Sequence, residues 1–539
     1  MAIPGDDAAN APPAGRGRPR LRVAIIGAGA GGLCMGVALR REGSCDFTIF
    51  EKSDGIGGTW WDNRFPGAEV DTAVPFYSFS FHPYAFTRTH VRQPELQAYL
   101  ENVADTYGLR PHIRLRTAVV RAEWDEATHT YEVLTSTGER ERFHVVVSAV
   151  GLLNEPNHPT WPGLDRFRGP KFHSARWDPD VDVTGKRVAV VGTGSTAAQI
   201  VPAIAPIVEH LTLFQRQPGW VMPKLDRDFT PEERARLLRP GYRRWMRLKQ
   251  FLTYEKTLGK SFIEGTPSNV AAQRICEKFI EETFRDRPDL AKLVTPDYPF
   301  GGKRPVKESK FYPALLRENV ELVPHAVAEV TETAVVDDTG TSHEVDVLVM
   351  CTGFKAASFL DTVEIVGRGG RTIHEVWGDE PHAYLGLTVA GFPNFYMLYG
   401  PNTNGAPIMF MHERQVEFVM ANIKRMVRRG VTAIEVRKPV MDLFNRIIQR
   451  RMQRYVVARY RDVHNYGRAR TGRDVIYWAE GMVAYAVLTR TTARLSSRAE
   501  RLGSCRGAGG IDDARSAGSA RREQHSRSGV SDPDQLTRM

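Results

Sequence analysis

Hydrophobic and polar positions follow two different periods along the chain, and the switches between them divide it. Residues 22–43, RVAIIGAGAGGLCMGVALRREG, pass from an unbroken apolar strand through a glycine turn into a helix. FTIFEKS, at 47–53, is a second strand that ends in an acid. A two-residue alternation through YEVLTSTGERERFHVVVSAVG predicts antiparallel strands that close a first unit near Gly151. The Pro- and Gly-rich GLLNEPNHPTWPGLDRFRG reads as a connector. Strand, turn and helix then return in KRVAVVGTGSTAAQIVPAIAP, followed by the strand LTLFQRQPGW. Residues 229–300 read as a charged helical insertion, NVELVP and EVDVLVMCTGF as strands, and VMDLFNRIIQRRMQRYVVARY as a basic amphipathic helix.

The fold class these patterns predict is α/β, with two Rossmann-like dinucleotide-binding domains and a helical insertion. A disordered lead-in is expected at 1–21, the first domain at 22–150 with its second part at 346–494, and the second domain, including connector and insertion, at 151–345. The Ser/Gly/Arg-rich tail at 495–539 is expected to be disordered.

Both glycine turns carry a dinucleotide fingerprint in the required strand-to-helix context. In the first, Gly27 makes the tight turn, Gly29 lets the backbone approach a pyrophosphate and Gly32 allows close helix–strand packing. The second reads Gly192-Thr193-Gly194-Ser195-Thr196-Ala197. Glu51 lies twenty-four residues beyond Gly27, and Arg216 twenty-four beyond Gly192. A carboxylate accepts hydrogen bonds from an unmodified ribose and repels a 2′-phosphate, whereas a guanidinium grips one. The first domain is therefore predicted to bind FAD and the second NADPH. Two such sites on one chain imply electron transfer between them.

Composition narrows this further. The five cysteines, Cys34, Cys45, Cys276, Cys351 and Cys505, form no CxxC pair, which argues against a disulfide reductase and for a reduced, cytoplasmic protein. The lead-in lacks the apolar core of a secretory signal, and no apolar run reaches the length of a membrane span. The net charge of +10 is spread through the chain, so a nucleic-acid partner is not expected. Neither a metal-ligand cluster nor a serine nucleophile motif is apparent.

One irregular stretch, GGTWWDNRFPGAEVD at 57–71, spends two tryptophans in a loop. Its spacing, Gly58-x-Trp60-x₄-Phe65-Pro66-Gly67-x₃-Asp71, resembles a long motif of Baeyer–Villiger monooxygenases. Phe167-x-Gly169-x₃-His173-x₃-Trp177-Asp178 is similar to that family's fingerprint, and GGKRP, CTGF and FPNFYMLYGPNTN extend the resemblance from about 22 to about 490. The resemblance implies an NADPH- and O₂-dependent enzyme that inserts oxygen beside a ketone carbonyl through a C4a-peroxyflavin, giving an ester or lactone. It implies Arg304 as the active-site cation and Asp71 as the acid that orients it. It also extends the FAD site to Thr59, Trp60, Asp71, Tyr77 and Val119, and the NADP site to Thr193, Ser195, Thr196, Gln215 and Lys303. The histidine at 173 is implied to couple domain movement to nicotinamide binding.

Trp60, Trp61 and Phe65 would wall the site against water, and Glu69 would either tune the arginine or face solvent. Two rival readings stand beside this one: an N- or S-oxygenating monooxygenase, and a non-catalytic NADPH-binding redox sensor. The partners expected are a small-molecule ketone and O₂; neither a monomer nor a homo-oligomer is favoured.

Overall fold

The computed structural model describes residues 20–503. Most of the expected lead-in and the tail beyond 503 lie outside the described residues. Five parallel strands build the first sheet, in the order Phe395–Met397, Val145–Ser148, Leu21–Ile26, Cys45–Phe50, Ile113–Arg114. Leu21–Ile26 is central and its last four residues are buried, which is why it reads as an apolar run without alternation. Helix Ala30–Glu42 follows the first glycine turn and packs against Ile408–Arg429. Late segments of the chain thus complete the first domain. The alternating strands Val119–Asp125, Thr130–Thr135 and Arg140–Phe143 form a separate sheet with Glu364–Val366.

The second sheet repeats the arrangement: Val320–Val323, His210–Phe214, Arg187–Val191, Val347–Met350, Lys171–His173, all parallel. Together the two sheets make the doubly dinucleotide-binding α/β fold expected. Val347–Met350 lies just past the boundary drawn at 345 yet is hydrogen-bonded in this second sheet, so the chain returns to the first domain only after it. Lys171–His173, just beyond the connector, is an edge strand here because it finds Val347–Met350 as a partner. The two crossings between domains run side by side. Asn157 N–H donates to Gly353 O at 2.9 Å, and Thr352 Oγ1 donates to Asn157 O at 2.6 Å.

Four helices make up the insertion: Pro231–Leu237, Pro240–Ser261, Pro267–Thr283 and Pro288–Val294. Inserted within the second domain's sequence, it nonetheless packs on both. Ala272, Cys276 and Ile280 are buried in the second domain's core. Phe251 and Tyr254 lie against the first domain's core, where Arg247 donates to the carbonyls of Pro75 and Ser78 at 3.0 and 2.6 Å. The basic amphipathic segment is two helices, Lys438–Met452 and Val456–Arg459, with Met441, Ile448 and Met452 turned inward.

The expected disorder from 495 is corrected over its first residues. Ser497–Glu500 is a strand antiparallel to Ala433–Val436. Composition suggested solvation, but the strand's charges are matched: Arg498 meets Glu435 at 2.9 Å, and Arg368 bridges Glu435 and Glu500 at 2.9 and 2.6 Å. Glu435 keeps only 6% of its surface exposed. Ending the chain after Ser496 should lower unfolding free energy in urea by about 2–3 kcal/mol, from one lost ladder and a weakened buried carboxylate.

Candidate active site

The two glycine turns are shaped alike. Gly27 holds φ at 104° and Gly192 at 111°, and a Cβ on either would strike a carbonyl, Ala149 O at 2.8 Å or Cys351 O at 2.5 Å. At Gly32 a Cβ would fall 1.9 Å from Gly27 O, so only glycine lets this helix close on its turn. The matched Ala197 is buried with its methyl in place. Gly29 and Gly194 begin helices Ala30–Glu42 and Ser195–Ile204 without a side-chain cap, which leaves first-turn N–H groups for an anion. Gly194 and Ser195 are exposed, with Thr193 and Thr196 half-buried beside them.

Glu51 is buried and anchored, its two oxygens accepting from Ala28 N at 2.7 Å and Ser53 N at 2.9 Å. Thr117 N donates to Glu51 O at 2.8 Å, which places buried Val119 next to this strand end. In the second domain the corresponding place is cationic. Arg216 is exposed, and Lys303 Nζ lies 3.3 Å from Gln217 O. Burial and then the Arg216 charge pull the Lys303 ammonium down to about 8. His464 lies beside them, its backbone N–H donating to Gln217 Oε1 at 3.3 Å, while burial, Arg216 and Lys303 lower its pKa and favour the neutral ring. Cations held this close suit a dianionic phosphate. Gln215 is buried and donates to Leu293 O at 2.8 Å, tying the insertion to the strand.

Residues 57–71 span both domains. Gly57 N donates to Ala28 O at 3.0 Å, and a Cβ on Gly58 would come within 2.9 Å of Gly29 Cα, so the stretch begins on the first turn. Thr59, exposed, opens the short helix Thr59–Asp62 there. Further on, Gly67 abuts Gln199 O, and Phe65 and Ala68 are buried in the second domain's core. Phe65 is thus a fastening between domains and not a site wall. Trp61 packs over Gly55, bonds Asp54 at 3.1 Å and lies under the Arg64 guanidinium, so it too leaves the site. Trp60 lies edge-on to Tyr77, with its indole N–H 3.2 Å from the Tyr77 hydroxyl.

Beside Tyr77 lies the ion pair. Arg304 Nη2 donates to Asp71 Oδ2 at 2.6 Å, and Thr72 Oγ1 donates to Oδ1 at 3.2 Å. Burial opposes ionisation of Asp71, but Arg304 and Lys307 overcome it and hold the carboxyl well below its ordinary range. Asp71 in turn raises the already high proton affinity of Arg304. Both side chains keep some exposure, 24% and 37%, so the pair faces open space. Glu69 does not face solvent. It is buried against Lys224 and Glu308.

The chain matches the FMO-like family, described as flavin-binding monooxygenase-like, over residues 20–368. A Baeyer–Villiger monooxygenase of Pseudomonas aeruginosa is 38% identical over 87% of this chain and 89% of its own length. One of Streptomyces coelicolor is 41% identical over 81% and 84%. An oxidised steroid monooxygenase bound to NADP superposes with a TM-score of 0.81 at 31% identity, covering 90% of this chain and all of that one. The chain belongs to the flavin-binding monooxygenase-like family.

Within this family member the fingerprint is structural. Phe167 is buried, and a Cβ on Gly169 would meet Asp346 O at 2.2 Å. His173 uses both ring nitrogens: Nε2 bonds Gly353 O at 3.0 Å and Nδ1 accepts from Ala175 N at 3.1 Å. Burial lowers its pKa to about 4, so it is a neutral clip between the fingerprint and the second crossing. Trp177 stacks edge-on with Phe172, and Arg176 reaches Asp62 at 3.6 Å.

Sequence reasoning missed Tyr399, Tyr466 and Tyr477, all close enough to act on the Arg304 charge, and His464. Tyr399 sits in a motif already singled out, FPNFYMLYGPNTN, and holds φ at 64°. Such strain in a non-glycine residue is a mark of a site. Glu126, His129 and Glu500 come within metal-ligand reach of one another, but Arg368 already pairs with both carboxylates.

A lysine that loses its proton near pH 8 binds phosphate less well as pH rises through that point. Titration calorimetry with 2′,5′-ADP should therefore show affinity falling by roughly tenfold from pH 7 to 9, the worth of one charge-assisted contact. Lys303→Arg should remove the pH dependence.

Proposed function

We propose that this chain is a Baeyer–Villiger monooxygenase, using FAD, NADPH and O₂ to convert a small-molecule ketone into an ester or lactone in the cytoplasm. The observation that carries this reading is the Asp71–Arg304 pair, a fixed cation beside Trp60 and Tyr77 between the two dinucleotide turns. The glycine turn at 27–32 with Glu51 fits FAD, and the turn at 192–197 with Arg216 and Lys303 fits NADPH. When bound, the flavin supplies the reduced ring that activates O₂, using hydride from NADPH.

The chain's own residues supply position and charge. First-turn N–H groups of Ala30–Glu42 and Ser195–Ile204 bind the two pyrophosphates. Oxygen insertion beside a carbonyl builds negative charge on oxygen, and Arg304 meets it with a proton it does not lose. Asp71 takes one of the five guanidinium donors and fixes the direction of the rest. Trp60 and Tyr77 narrow access of water to this charge. This arrangement favours a ketone over a soft sulfur or nitrogen centre, which needs no anion stabilised. Described residues contain no helix long and apolar enough to cross a membrane, and the four described cysteines are free and buried, which supports the cytoplasmic reading.

Arg304→Ala should lower ester formation by two to three orders of magnitude, about 3–4 kcal/mol, in the FAD-loaded enzyme. NADPH oxidation should continue with hydrogen peroxide as product, measured by gas chromatography alongside a peroxidase assay. Wild-type enzyme that oxidises a thioether but no member of a panel of linear, cyclic and aromatic ketones would instead place it among the heteroatom oxygenases.

A further inference from the structure

The loops that carry Asp71 and Arg304 are fastened together at a second, buried point. Lys224 Nζ pairs with the Glu69 carboxylate and lies 3.2 Å from Glu308 Oε2. The three side chains retain 2%, 5% and 3% exposure. Glu69 stands two residues before Asp71, and Glu308 four residues after Arg304.

The backbone between these points has little slack. Val306 N donates to Trp220 O at 2.9 Å and Glu308 N to Met222 O at 3.1 Å, forming the short parallel ladder Val221–Met222 with Val306–Lys307. Lys224 N donates to Ser309 Oγ at 2.7 Å, and Ser309 Oγ donates back to Lys224 O at 2.8 Å. On the other loop, Gln199 holds both backbone groups of Glu69, at 3.2 and 3.0 Å, and Val70 N donates to Val91 O at 3.0 Å. A shift of either triad carboxylate is therefore passed to its catalytic neighbour.

A device serving stability alone would be built differently. Two carboxylates on one ammonium bury an excess negative charge, and burial raises the proton affinity of Glu308 accordingly. Apolar side chains of similar volume fill such a site at no electrostatic cost. What an ammonium adds is direction, since its three donors hold two acceptors at set distances.

We propose that Glu69, Lys224 and Glu308 are positioning residues that set the register of Asp71 against Arg304, and thereby the fraction of NADPH oxidation that ends in oxygen insertion. The inference rests on the role given to that pair above. Its test uses the FAD-loaded full chain with a ketone that it accepts. Glu69→Gln leaves a balanced Lys224–Glu308 pair and retains a bulky polar side chain, so it should fold even where Lys224→Met does not. Two readings are taken on each variant: hydrogen peroxide released per NADPH consumed, and deuterium uptake at the amides of residues 306–309 without NADPH. The peroxide ratio is a per-turnover quantity, so partial unfolding does not change it.

Glu69→Gln and Lys224→Met should each raise the peroxide ratio at least threefold and speed exchange at Val306 and Glu308, while Lys224→Arg stays near wild type in both. Faster exchange with an unchanged peroxide ratio would reduce the triad to a structural role and overturn the proposal, as would no change in either reading. Arg304→Ala, run in parallel, separates the two claims. If it still forms ester, the reading of the pair fails; if it does not and Glu69→Gln remains coupled, only the clamp fails.

Discussion

An ion pair between two domains holds this site together, and neither member could occupy its place alone. Arg304 cannot shed its charge, and Asp71 is kept ionised against burial chiefly by that arginine. Without its partner, either would be an uncompensated charge in a partly desolvated site. The pair therefore depends on bringing residues 57–71, rooted on the first glycine turn, against residues 301–309 of the second domain. Gly67, Phe65, Gln199 and the Lys224 triad all serve that approach. The strained Tyr399, held by a hydrogen bond from its N–H to Gln415 Oε1 at 2.9 Å, closes another side of the arginine.

The two dinucleotide turns show how one backbone solution is given two chemistries. Both place a glycine at positive φ against a returning carbonyl, and both lead into a helix that has no side-chain cap. The difference lies at the end of the following strand. Glu51 is buried and pinned by two backbone N–H groups, so its charge is directed. Arg216 is exposed and has Lys303 beside it, so this strand end is cationic. A ribose hydroxyl is bound by orientation and a phosphate by charge, which is the basis of the assignment proposed above.

The chain crosses between the domains twice, and the two crossings are fastened to each other. The connectors at 151–157 and 351–354 lie side by side, and His173 clips to the second of them through Gly353 O. Its neutral, doubly bonded ring explains why a histidine in a family fingerprint need not move a proton. The insertion adds a second restraint, since its helices are buried in both cores and resist separation of the domains.

Much of this was legible in the order of residues. Both fingerprints and the opposed charges of Glu51 and Arg216 follow from local periodicity and spacing, because a strand–turn–helix unit is specified within about thirty residues. Arg304 and Asp71 were legible only through resemblance, since nothing local links positions 71 and 304. Tertiary structure alone decided where the aromatic side chains of this loop go: Trp60 packs edge-on against Tyr77, Trp61 lies under the Arg64 guanidinium and Phe65 enters the second domain's core. It alone placed Glu69 on Lys224, gathered Tyr399, Tyr466 and Tyr477 around one guanidinium, and recruited Ser497–Glu500 as a strand. The physical reason is the same in each case. Sequence period states which residues share an element, but the direction of a loop side chain and the partner of a buried charge depend on packing between segments far apart in the chain.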